Sequence, residues 1–180
     1  MSKNIQIALV SKETLPVFYI INEFRPDEVF LVGTEETTLE MEQIERSAAK
    51  MGTVCHRLIT KADDMAYTMK QCESVHERCG DDACYCYNLT CGTKLMAFGA
   101  LMCAQKHQAQ VVYSDISTYT NFATMQRLPI GSRHRQQGSP TNGLQTTWRK
   151  HRDSRKRTPQ HRHILPPTRH RCVYRTTCLG

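Results

Sequence analysis

Five short apolar runs, most of them followed by a stretch with helical spacing, constrain this chain more than any other feature. The run IQIALV (residues 5–10) is β-branched, too short for a helix, and closed by Ser11 and Lys12, which is the pattern of a strand buried on both faces. Val17, Ile20, Ile21 and Phe24 then recur at helical spacing, with Pro16 placed where only a first turn tolerates it. DEVFLVGT supplies a strand over 28–32, closed by Gly33 and Thr34. A helix capped by Thr37 or Thr38 follows, with Leu39, Ile44, Ala48 and Met51 as its apolar stripe and Glu40, Glu42, Glu45 and Arg46 on its wet face. The order repeats as strand 53–59, helix 63–77, strand 84–89, helix 93–106 and a last strand ending at Asp115. Strands and helices alternating through short links predict an α/β, Rossmann-like domain over residues 1–122, a parallel sheet with helices on both faces. Such sheets bind ligands at the carboxyl ends of their strands, beside the point where strand order reverses. The loops to watch are therefore 11–13, 33–35, 88–94 and 115–117.

Charge divides the chain at the place where the periodicity stops. Residues 1–122 carry 11 basic and 16 acidic groups, residues 123–180 carry 13 and 1, so the overall +7 describes neither part and is no sign that the folded part binds nucleic acid. From Ala123 onward apolar residues are scattered singly among Arg, His, Pro, Thr and Gln, a composition that cannot bury a core. Residues 123–180 thus read as a basic, low-structure tail. Three readings are open: an arm for non-specific, salt-sensitive nucleic-acid binding, an inert extension, or a frameshift product; the abrupt change in composition favours the third. No apolar run approaches the roughly 18 residues of a membrane span, and the N-terminus lacks a secretory pattern, so a cytoplasmic protein without membrane contact is expected. The nine cysteines fall at irregular gaps with no C-x-x-C pair, which argues for reduced, mostly buried thiols rather than zinc.

The stretch with most chemical content is NLTCGTKLMAFGA, residues 88–100. The helix it opens is apolar nearly all round, which predicts burial between the sheet and a further surface. Its N-terminus would present unpaired N–H groups and the positive end of the helix dipole, a combination suited to phosphate. Gly92 would let the backbone approach closely, Thr90 and Thr93 would add hydroxyls, Lys94 a charge, and Asn88 would fix the loop or read a base or ribose edge. The same residues also suit an ordinary N-cap, a turn glycine and a solvated lysine. Neither G-x-x-x-x-G-K-[ST] nor G-x-G-x-x-G is present, so residue chemistry alone reaches a phosphate-containing ligand and no further.

That string, placed after a fourth strand and followed by one of the type VVYSD, resembles the N-L-T-G-G-T-K-x-M motif of CRISPR-associated Rossmann-fold (CARF) domains. It is most similar to the branch fused to a restriction-endonuclease-like nuclease activated by cyclic oligoadenylate. ALVSKETLP and DEVFLVGTEET fit that branch's first two strand–loop units, and the similarity runs over about residues 4–122. One departure is Cys91, where the family usually has the first glycine of a pair; a positive φ there would cost a non-glycine residue about 1 kcal/mol. The resemblance implies a homodimer with a ring-shaped messenger, cyclic tetra-adenylate, across its two-fold axis. Asn88, Thr90, Gly92, Thr93 and Lys94, with Cys91 among them, would meet ribose and phosphate, and Ser11, Lys12, Gly33 and Thr34 would line the remaining wall. It also implies a C-terminal nuclease domain with clustered carboxylates around a divalent metal. Asp153 is the one carboxylate beyond residue 122, so the expectation is a sensor lacking its nuclease, without a catalytic residue or cofactor of its own. Opening of the ring by a ribose 2′-OH would need a general base, and the motif has no strong one. The rival expectations are a protein acting on nucleic acid through its tail and an ordinary nucleotide-binding Rossmann enzyme.

Overall fold

The computed structural model describes residues 2–115 and 117–131; of the tail expected over 123–180, residues 132–180 lie outside the described residues, while 126–129 form a strand. In chain order the elements are β1 (Asn4–Leu9), α1 (Leu15–Phe24), β2 (Glu28–Gly33), a single 3-10 turn (Glu35–Thr37), α2 (Thr38–Ala49), β3 (Val54–Ile59), α3 (Met65–Cys79), β4 (Cys84–Asn88), α4 (Lys94–Lys106), β5 (Gln110–Ser114), β6 (Thr118–Asn121) and β7 (Gln126–Pro129). They form one seven-stranded sheet in the order β3-β2-β1-β4-β5-β6-β7. The first five strands are mutually parallel, and β6 and β7 continue the sheet antiparallel. The expected α/β fold with a mostly parallel sheet is therefore observed. No helix among the described residues is long and apolar enough to cross a membrane.

Two-residue alternation along β1 divides the core. Ile5, Ile7 and Leu9 join Phe30, Val32, Tyr85 and Tyr87 beneath α3 and α4, where Cys72, Val75, Met96, Ala100 and Cys103 close the layer. Ala8 and Val10 face the other way, with Val29 and Leu31, against Val17 and Ile21 of α1 and Met41, Ile44 and Ala48 of α2. Each fully buried aliphatic side chain contributes about 1.5–3 kcal/mol, so both helical layers are held by the same central strand. The helices of the first layer approach closely at Gly99, where a Cβ would stand 2.4 Å from the Met65 carbonyl oxygen. Only glycine lets α4 lie this near the start of α3.

Two features depart from expectation. The outward face of α4 is uncovered: Leu95, Phe98 and Met102 are 41%, 53% and 46% exposed. The second is the β6–β7 hairpin, which carries the sheet past residue 122. Its entry is set by Asp115, whose carboxylate accepts the Ser117 and Thr118 amides at 2.8 and 2.7 Å and also pairs with Arg127. Tyr119, 1% exposed, packs edge-on against Phe24 at 5.3 Å, and the Gly131 amide donates to the buried Glu23 carboxylate at 2.5 Å. Local turn chemistry and two long-range contacts thus hold a segment with little apolar alternation.

Candidate ligand site at the switch in strand order

The sheet reverses its order between β1 and β4, which are hydrogen-bonded neighbours. The loops after these two strands consequently lie side by side at the carboxyl edge, where α/β sheets hold their ligands. The segment between β4 and α4 is tied to each surrounding loop. Asn88, fully buried, accepts at Oδ1 from the Thr90 amide (3.2 Å) and hydroxyl (2.5 Å). Thr90 Oγ1 accepts in turn from the Ser114 amide of β5 at 2.9 Å. The Cys91 thiol donates to the Glu13 carbonyl of the β1 loop at 3.3 Å. Thr93 donates its hydroxyl to the Ala62 carbonyl beyond β3 and accepts from the Met96 amide at 3.2 Å, the N-cap of α4.

These bonds assign different work to residues that look alike in the sequence. Thr90 and Thr93 hold the loop, and their hydroxyls are engaged within the protein. Gly92 sits at φ 80°, and a Cβ there would meet Leu9 Cβ at 3.2 Å, so glycine is required both by the left-handed backbone and by the packing beneath it. Cys91 is not among the residues with positive φ. The strain considered for a non-glycine at this position does not arise; instead the side chain turns inward, 7% exposed, into the α1–α2 layer. Burial pushes its thiol pKa upward, so it stays protonated.

Lys94, the first residue of α4, is exposed and makes no ion pair with any described residue. Beside it, the first amides of the helix have no intrahelical acceptor, and the dipole adds positive potential. Lys12 at the mouth of the β1 loop is committed: its ammonium donates to the Glu36 carbonyl at 2.7 Å and lies 3.3 Å from Glu40. Ser11 Oγ accepts from the Glu13 amide at 3.3 Å. Gly33 is buried against Thr37, whose hydroxyl bonds the Thr34 amide and carbonyl, both at 3.0 Å. The expected site residues thus lie in the loops at one edge of the sheet, where Lys94 and the first α4 amides are open while Asn88 and Cys91 are buried.

Sequence reasoning did not single out Ser114. It is 3% exposed, its amide clamps Thr90, and its own hydroxyl, like the Asn88 side-chain amide nitrogen, is buried without a hydrogen-bond partner among the described residues. Its place at the carboxyl end of β5 was the available signal. Asp115, at the start of the 115–117 loop, serves the hairpin instead.

No curated protein sequence matches the chain. Similar solved structures include Can2 from Sulfobacillus thermosulfidooxidans in complex with cyclic tetra-adenylate, with TM-score 0.65 and 18% identity over 72% of this chain and 38% of that one. A type III CRISPR defence DNA nuclease activated by cyclic oligoadenylate aligns with TM-score 0.60 and 21% identity over 72% of this chain and 21% of that one. Protein VC1899 from Vibrio cholerae aligns with TM-score 0.61 and 8% identity over 71% and 36%. At these identities the likeness is one of fold, and this chain spans well under half the length of each. The family model of the Card1 CARF domain matches residues 5–136, from β1 through the hairpin and beyond. The chain belongs to the Card1 CARF domain family.

Proposed function

We propose that this chain is a sensor for cyclic oligoadenylate, with cyclic tetra-adenylate as its ring, in type III CRISPR defence. The observation that carries the reading is the edge at Gly92, Thr93 and Lys94. There a capped helix N-terminus and the exposed Lys94, without an ion pair among the described residues, stand beside the left-handed turn at Gly92, a combination suited to a phosphodiester. Family membership narrows the ligand class, and the Can2 structure, in complex with cyclic tetra-adenylate, has the same fold. A ring with equivalent halves is best read by two equivalent patches. The exposed stripe Leu95, Phe98 and Met102 begins at the residue next to Lys94 and supports a homodimer that sets two such patches together. Sensing is the whole of the proposed role.

Isothermal titration of the full chain with cyclic tetra-adenylate tests the reading. One ring bound per two chains, with linear tetra-adenylate far weaker, supports it. Binding of any oligonucleotide regardless of ring closure, lost at high salt, would instead assign the activity to the 13 basic residues beyond residue 122.

A further inference from the structure

Away from the ring site, the last turns of α3 and α4 bring metal-ligating side chains together. His76, Cys103 and His107 each place one ligand atom within 4.8 Å of the other two, and among the described residues no other trio of such donors does so. The spacing explains the convergence: Glu73 and His76 stand three apart on α3, and His107, the C-cap of α4, follows Cys103 by four with its amide bonded to the Cys103 carbonyl, so each pair shares one side. The imidazoles of His76 and His107 stack at 3.7 Å with planes 9° apart; an imidazole binds a metal in its own ring plane, so this stack has to open for both rings to reach one ion.

The surroundings match what holds a ligating histidine in place. Glu73 Oε2 lies 2.7 Å from His107 Nε2, and a carboxylate on one ring nitrogen leaves the other to face a metal. Tyr87 bridges the other two donors: its hydroxyl is 2.8 Å from His76 Nε2 and donates to Cys103 Sγ at 3.2 Å. Cys103 is fully buried and His76 6% exposed, while His107 at the end of α4 leaves an entry path. Two nitrogens and one sulfur suit a borderline-soft ion. With bonds of about 2.0 Å to nitrogen and 2.3 Å to sulfur, rotation of these side chains would close the donors around it.

We propose that His76, Cys103 and His107 form a zinc(II) site, with Glu73 orienting His107 and the fourth position open to water. Binding releases the Cys103 proton to solvent and forms a thiolate–zinc bond, with no change in oxidation state. The absence of a C-x-x-C pair, which argued against zinc in the sequence, does not apply to ligands drawn from two helices. The site would fasten α3 to α4 at the end away from the ring-binding edge, and it stands or falls independently of ring binding.

The test uses the full chain, freed of metal and titrated with zinc against a chromophoric chelator, beside H107A and C103S. Histidines and cysteines beyond residue 131 bind equally in all three proteins, so the difference between them is the readout. The expected result is one tight equivalent more in the parent than in either variant. Cobalt(II) should give a thiolate-to-metal absorption band that C103S loses, and zinc should raise the thermal midpoint of the parent but not of H107A. Equal zinc content in parent and H107A, or no zinc held by the parent, would overturn the site. Because His107 is half-buried at a helix end, H107A should fold, as circular dichroism would verify, and it decides the matter even if C103S does not fold.

Discussion

Lys94 carries an ammonium with no ion pair among the described residues, whereas Thr93 beside it is bonded both to the Ala62 carbonyl and to the Met96 amide. Substitution at the two positions should therefore separate binding from folding. Lys94→Ala should leave the thermal midpoint unchanged and weaken the ring about 10- to 100-fold, the worth of one hydrogen bond to a charged group, measured by titration calorimetry. Thr93→Val should cost about 1 kcal/mol of unfolding free energy through loss of the cap, measured by chemical denaturation. Cys91→Gly restores the family's usual residue but should gain no affinity, because the native backbone at Cys91 is not left-handed. It should lose about 1 kcal/mol of stability, since glycine is freer in the unfolded chain and the buried thiol's contacts disappear. At this scale the sequence disclosed residue types but neither all their partners nor which side chains stay open. The types Thr, Gly and Lys were legible; that Thr90 is held by Ser114, 24 positions away, depends on the pairing of β4 with β5 and leaves no local trace.

The alternation of short apolar runs with helical spacing was enough to locate β1 to β5 and α1 to α4 within a residue or two, because both periodicities express burial against one sheet. It failed where burial is not the organising force. The hairpin of β6 and β7 rests on Asp115, whose carboxyl is held below its ordinary value of 3.8 chiefly by the Thr118 and Ser117 amides. A carboxylate with a lowered folded pKa stabilises above its unfolded pKa, and that contribution is lost as pH falls through the folded value. The hairpin amides should thus keep their hydrogen-exchange protection through mildly acidic pH and lose it only below the ordinary aspartate range. Asp115→Asn should remove that acid-dependent step. The apolar character of α4 was read correctly, but what covers its outer face was not, since a single sequence does not distinguish a sheet from a second molecule as the covering surface. If Leu95, Phe98 and Met102 form the dimer contact, Phe98→Asp should yield monomers by light scattering. The α3–α4 packing around Gly99 should remain intact, because Phe98 is 53% exposed.

Across the whole molecule, charge and topology point to different partners. The net −5 of residues 1–122 contrasts with +12 beyond them, so the open positive potential at Lys94 belongs to one local edge rather than to a basic domain. Binding there should depend on ring geometry and only modestly on salt. The topology agrees: reversal of strand order between β1 and β4 sets the two loops of the wall beside each other. Hydrogen exchange with and without cyclic tetra-adenylate tests the central claim most directly. Slowed exchange concentrated at residues 90–96, with a weaker effect at 11–13, is the predicted result. Binding that leaves those amides unchanged would contradict it and place the ligand elsewhere on the chain.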